Sequence, residues 1–456
     1  MKHALRSLGS LVFALTAIPA LAQQPAAAPA APAQNFKPIV DHIDLADGDT
    51  LVFLGDSITH QCLYTQYVED YYYTRYPKLH VRFHNAGVGG DRASNALARF
   101  DDDVASYKPK YVTILLGMND GGYTRYEQAI FDTYQRDMTT VLEKIEQLGA
   151  TAVPMTPTMH DARAARMANR AMEPRDTYYN GLMALYGAWL REQAQVRGLG
   201  FVDMWAPLND TTIQQRKKDP LWTMIKDSVH PGPTGHVIMA AALVEDMVPR
   251  TPVSQINIGL EQGQLTSRTT RGTIGSLQKL DKGLCFDFAS ESLPWVLPPD
   301  AAEGAKLAHI GHKFSNEKLT VRDLAPGKYE LKIDGQSVGV YPAGQFAGGV
   351  ELEENEKTPQ YQQALKVALL NKKRNDEAVH PLRDVWAALK TKRRDLQKLK
   401  DDNAPDLADK QAAFDQWFAT FQPTVDTLKG KVREFDDQIY VANQPQAHHY
   451  EVTLQQ

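Results

Sequence analysis

The sequence predicts an α/β first half, a three-layer sandwich with helices on both faces of a five-stranded parallel sheet. A C-terminal β-rich domain carrying a long helical insertion follows. Three observations lead there. Short apolar runs alternate with longer amphipathic stretches from Thr50 to about Pro249, and strand–helix alternation of that kind builds parallel sheets. Near Ser254 the texture changes to apolar/polar alternation around Pro-Gly and Asp-Gly turns, which reads as antiparallel hairpins. From Thr358 to about Asp437 it turns helical again.

Taken in order, the expected strands of the first half are TLVFLGDS (50–57), HVRFHNAG (80–87), YVTILLGM (111–118), ATAVPMTP (150–157) and GFVDMW (200–205). Between them, stretches such as YEQAIFDTYQRDMTTVLEKIEQLG (126–149) place apolar residues three and four apart, the spacing of a helix with one buried face. In such sheets ligands gather at the carboxyl ends of the strands, and Ser57 lies at one of these ends.

In the second half, LTVRDLAPGKYELKIDGQSVGVY (319–341) reads as hairpins, and the closing HHYEVTLQQ alternates like a strand and echoes KYELKI at 328–333. The expected organisation is therefore a β-sandwich-like domain over 253–456, interrupted by a helical insertion at about 358–437. A domain spanning 37–252 precedes it. The run KKRNDEAVHPLRDVWAALKTKRRDLQKLKDD, beginning at Lys372, mixes acids and bases and reads as the solvated face of antiparallel helices. Phe414, Trp417, Phe418 and Phe421, spaced by three and four, read as the packed face. A lid over the site, or a surface for polysaccharide or for self-association into a homo-oligomer, is the alternative for these helices.

Residues 1–22 have the form of a signal peptide: Lys2, His3 and Arg6, then an apolar stretch, then Ala20-Leu21-Ala22. An uncleaved anchor is the alternative, although Gly9 and Pro19 interrupt the apolar run. Residues 23–36, rich in Ala and Pro, read as a linker. The mature protein is thus expected to be exported, periplasmic or secreted, without stable membrane insertion. Across 456 residues, 43% are hydrophobic and 23% charged, with a formal net charge of −5. That balance is ordinary for a soluble protein and lacks the basic excess of a nucleic-acid binder. The two cysteines, Cys62 and Cys285, make no disulfide framework; two buried thiols are expected, with pairing as the alternative.

Four stretches end on polar or glycine residues where the sheet presents its carboxyl edge: FLGDSITH (53–60), NAGVGGDR (85–92), GMNDGG (117–122) and KDSVHPGPTGH (226–236). Each alone has an ordinary explanation as a cap or turn. In this order they resemble the blocks of the SGNH hydrolases, the GDSL-type esterase and lipase superfamily, over about residues 48–248. Gly55-Asp56-Ser57 matches the first block, Asn85 through Gly90-Asp91 the second, Gly117-x-Asn119-Asp120 the third, and Asp227-x-x-His230 the last. The resemblance implies a flavodoxin-like sandwich, Ser57, Asp227 and His230 as catalytic residues, and an oxyanion hole of the Ser57 and Gly90 N–H groups with the Asn119 amide. It also implies that no metal or cofactor is needed.

The chemistry agrees with that implication. A serine hydroxyl needs an adjacent base, and a histidine oriented by a carboxylate supplies one. Asp56, His60 and His160 are candidate pocket residues, each with an ordinary structural alternative. His448-His449 cannot share one ion easily, because neighbouring strand residues point to opposite faces. The expected function is an exported serine esterase removing O-acyl groups, O-acetyl above all, from a small-molecule or glycan ester through an acyl-enzyme on Ser57. A lipase, lysophospholipase or thioesterase, or a non-catalytic glycan-binding scaffold, stands as the alternative.

Overall fold

The computed structural model describes residues 36–169, 175–262 and 264–455; the expected signal peptide and nearly all of the linker lie outside them. Strands β1 (Thr50–Gly55), β2 (Arg82–Gly87), β3 (Tyr111–Leu115) and β4 (Thr151–Pro154) form one parallel sheet in the order β2-β1-β3-β4. β1 is buried along its whole length and is apolar on both faces, as a strand between two helical layers must be. Leu51 and Phe53 face one core with helices Leu63–Arg75 and Pro233–Met247. Val52 and Leu54 face the other, with helices Gln128–Gln147 and Arg175–Arg197.

The expected fifth strand is shorter than the sequence predicts. Val202 alone bridges Met155, in parallel. Beyond it, Asp203 turns the chain by accepting the Ala206 N–H at 3.0 Å, and a helix begins at Trp205. The sheet thus has four full strands and one bridging residue.

The second half holds two further sheets. β5 (Ser254–Glu261), β6 (Gln264–Thr270), β7 (Gly272–Leu280) and β8 (Gly283–Ser290) lead into β9 (Glu317–Val321), β10 (Lys328–Ile333), β11 (Gln336–Pro342) and β12 (Val350–Glu351). Asp334 and Gly335, both at positive φ, make the β10–β11 turn, which suits the twist of a two-residue hairpin. The closing strand β13 (Ala447–Leu454) lies between β10 and β8, completing the order β11-β10-β13-β8-β7; the other sheet runs β12-β9-β5-β6. Ile256, Phe286, Leu331, Tyr450 and Val452 are among the residues packed in the core these strands share.

Between β12 and β13 come helices Pro359–Arg374, His380–Asp401 and Leu407–Ala442, the first two joined by a π-helical turn, Asn375–Val379. They pack on the parallel sheet's own layer. Tyr440 donates to Val81 O at 2.7 Å and Asn443 to Tyr73 O at 2.9 Å. Trp295 donates to Tyr67 O at 2.9 Å and belongs to the same core as β1.

Here the reading of the charged run as a solvated face is corrected. Arg374 and Arg383 are fully buried. Arg374 meets Glu69 at 3.1 Å and Asp436 at 2.7 Å; Arg383 meets Asp103 at 2.8 Å. Burial of an arginine is tolerable when its charge is paired, and the acids doing the pairing are far away in sequence. The aromatic face is only partly packed: Phe421 is buried, whereas Phe418 is 42% exposed, with Arg393 over its ring. The cysteines are unbridged, Cys62 buried and Cys285 half-buried.

Arg374→Met leaves Glu69 and Asp436 without their guanidinium and is expected to destabilise the fold by about 3–5 kcal/mol, read from urea unfolding. A change within about 0.5 kcal/mol, the range of an exposed position, would show that the buried pairs contribute little.

Candidate active site

Gly55 ends β1 at a crowded place. A Cβ there would come within 2.0 Å of Thr59 Oγ1 and 3.0 Å of Leu115 O, so only glycine lets the short helix Ser57–His60 start this close to the sheet. The cap of that helix is Asp56, whose Oδ1 accepts the Ile58 N–H at 2.9 Å. Ser57 is therefore released from capping, and its hydroxyl turns to His230, with Oγ 2.8 Å from Nε2.

His230 arrives on the loop before helix Pro233–Met247. Ser228 sits at φ 76°, folding the loop so that Asp227 Oδ1 accepts both the Val229 N–H (3.0 Å) and the His230 N–H (2.7 Å). Asp227 Oδ2 lies 2.7 Å from His230 Nδ1. Burial pushes this carboxyl up, but the hydrogen bonds from His230 and Val229 outweigh it and hold Asp227 below the usual range. It stays ionised, the state that fixes Nδ1–H and leaves Nε2 to accept a proton. From outside, Asp161 N–H donates to Ser228 O at 2.9 Å and Gln61 to Pro231 O at 3.3 Å.

Gly90 follows β2 at φ +69°. Among the described residues, neither the Ser57 nor the Gly90 N–H has an acceptor inside the protein. Asn119, after β3, donates through Nδ2 to Asp91 O (3.0 Å) and more loosely to Asp56 Oδ2 (3.3 Å), while its Oδ1 accepts from Tyr123 OH (3.1 Å). The amide is thus held in one orientation.

Asp56 is almost completely buried. Burial, reinforced by Asp120 and Asp91 and opposed by the Ile58 N–H, pushes its carboxyl up to about 7.

The structure brings Ser57, Asp227 and His230 together, with Gly90, Asn119 and Asp56 around them. His60 is set against the neighbouring loop, its Nδ1 accepting the Gly89 N–H at 3.2 Å and its Nε2 3.2 Å from Asp384. His160 is buried edge-on to Tyr179 and lines a cavity of about 390 Å³ with Asn180, Asn209 and Arg216. His448 and His449 pair separately, with Asp334 and Asp287. Several supporting residues had no sequence signal of their own. Arg99 joins Asp91 to Asp103 and caps Ala86 O, and Tyr123 and Lys390 act from elements outside the four blocks.

Residues 53–238 match the model of the GDSL-like lipase/acylhydrolase family. Over those residues the chain is similar to the SGNH hydrolases. An acetylxylan esterase from Geobacillus stearothermophilus is 25% identical over 225 residues, 44% of this chain and 95% of that protein. The solved structure of a gut microbial diltiazem-metabolizing enzyme, 24% identical, covers 91% of this chain and 100% of its own with a TM-score of 0.75; it shares the fold through both halves. These similarities support an ester-cleaving enzyme.

Asp56 binds a proton in the folded protein up to about pH 7, whereas an unfolded carboxyl releases it near pH 4. The group's contribution to stability is therefore present below the unfolded value and lost as pH rises toward 7. Asp56→Asn, compared with the parent by urea midpoints, is expected to gain relative stability between pH 5 and pH 8; a pH-independent difference would refute the assignment.

Proposed function

We propose that the protein is an exported serine esterase that removes O-acetyl groups from carbohydrate through an acyl-enzyme on Ser57. The observation that carries this reading is the unbroken line Asp227 Oδ2–His230 Nδ1 (2.7 Å) and His230 Nε2–Ser57 Oγ (2.8 Å).

In this mechanism Ser57 Oγ attacks the ester carbonyl while its proton passes to His230 Nε2. The resulting imidazolium lies against the Asp227 carboxylate. The oxyanion is met by the Ser57 and Gly90 N–H groups and the Asn119 amide, donors fixed in advance of the charge they meet. Collapse expels the sugar alkoxide, which takes the proton from Nε2 and leaves acetyl-Ser57. Water then attacks, giving its proton to the same nitrogen. The second tetrahedral species breaks to acetate and free Ser57. Every step uses groups of this chain.

The carbohydrate part rests on the relationship to the acetylxylan esterase. Export rests on the residues before 37, whose pattern is that of a cleavable leader followed by a linker.

The deciding experiment compares the mature protein with Ser57→Ala on p-nitrophenyl esters of two to twelve carbons and on acetylated xylo-oligosaccharides. The expected result is turnover of acetyl substrates, oligosaccharides included, that falls at least about 10³-fold in the variant. A preference for long acyl chains would overturn the carbohydrate assignment, and undiminished turnover in Ser57→Ala would overturn the nucleophile. Asp227→Asn is expected to lose about 10⁴ in kcat through the wrong imidazole tautomer, with KM nearly unchanged.

A further inference from the structure

The loop after β2 is gripped by the helical insertion. Val88 is buried in an apolar cluster whose other buried members, Leu382, Trp386, Leu389, Phe421 and Val425, all come from the insertion helices. One residue on, Lys390 donates to Gly89 O at 2.9 Å and lies 2.8 Å from Asp91 Oδ1. A Cβ built on Gly90 would stand 3.6 Å from the same ammonium. The opposite edge of the loop is held by His60, which accepts the Gly89 N–H.

His60, His380 and Asp384 are close enough to surround a cation, but the chemistry of His60 opposes it. Its Nδ1 faces a donor, so the ring's proton belongs on Nε2, directed at Asp384. A metal on Nε2 would need that proton on Nδ1, against the Gly89 N–H. The cluster is a clamp on Gly89.

Residues 88–91 make a β-turn, closed by Asp91 N–H to Val88 O at 3.1 Å, with Gly90 at the third position and φ +69°. A positive φ there is the type II form. With glycine at both central positions, the Gly89–Gly90 peptide plane can rotate to the type I form at little steric cost. That rotation would reverse the Gly90 N–H. The Gly89 carbonyl and the Gly90 N–H belong to the same planar unit, so whatever holds the carbonyl aims the N–H.

We infer that Lys390 is a positioning residue for the oxyanion donor Gly90. It anchors the Gly89 carbonyl on the insertion side of the loop, prevents the plane from turning over and leaves the N–H directed away from the insertion. A charge-assisted bond to that carbonyl also draws electron density through the amide, making the N–H a stronger donor. The inference rests on the proposed serine esterase mechanism. It gives the insertion a part in the chemistry, supplied by a residue about 300 positions beyond the loop it orients.

The test uses the full chain with p-nitrophenyl acetate, each turnover number counted per site titrated to completion with a fluorophosphonate. Lys390→Met is expected to lower kcat about 10–100-fold, less than the 10²–10³ for losing a donor outright, with KM within about two-fold. Lys390→Arg is expected to recover most of that loss. Asp91 keeps its bond to Arg99 when the partly exposed Lys390 is lost, so the melting temperature should move by no more than about 2 °C. A per-site kcat in Lys390→Met equal to that of the parent would overturn the inference while leaving the mechanism intact. So would equal losses in Met and Arg that track a fall in melting temperature. Ser57→Ala with parental turnover would instead remove the mechanism, and the inference with it.

Discussion

A run of paired charges, most of them buried, ties the insertion helices to the first half of this molecule. Asp91 and Asp103, both fully buried, are bridged by Arg99; Arg383 from the insertion closes on Asp103 and Lys390 on Asp91. Against burial, which alone would raise it, Arg383, His84 and Arg99 hold the Asp103 carboxyl far below its ordinary range. No buried acid of such a run can be stripped of every partner, because an uncompensated buried charge costs several kcal/mol. The loop carrying Gly90, the strand end at Ala86 and the insertion helices therefore have one mutually satisfying arrangement.

That constraint explains why the site can be built from turns. Ser57, Gly90, Asn119 and His230 all stand on loops or first helical turns at the carboxyl edge of the sheet, where backbone is otherwise free to move. Each is stiffened by a bond from outside its own turn. Asp56 and Tyr123 fix the Asn119 amide, Asp161 pins the Ser228 carbonyl, and the insertion braces the loop after β2. Precision here comes from cross-links between loops and not from the rigidity of any one of them.

The parallel-sheet layer and its candidate site were largely legible in the sequence, because their information is local. Gly55-Asp56-Ser57 and Asp227-x-x-His230 each encode a turn and a functional group within four residues, and apolar alternation between helices marks the strands that carry them. The fifth strand was overread: GFVDMW looks extended, but the Asp203 side chain turns the chain after one bridging residue. The insertion was misread for a deeper reason. Whether a basic run is solvated or buried depends on acids elsewhere, and Glu69 and Asp103, which pair Arg374 and Arg383, lie 305 and 280 positions away. Nothing in the spacing of KKRND or LRDVW distinguishes Arg374 and Arg383 from their exposed neighbours.

The placement of β13 has a consequence for how the chain comes into being. It is the last strand in sequence yet lies inside its sheet, with β10 on one side and β8 on the other. Emerging from the ribosome, the chain has β8 and β10 more than a hundred residues before the strand that joins them, and each waits with an open edge that invites wrong pairing. The helices that brace the active site are made in that same interval. Vectorial synthesis thus delivers Ser57 early and the helices that grip the Gly90 loop late, and those contacts can form only after the insertion has left the exit tunnel.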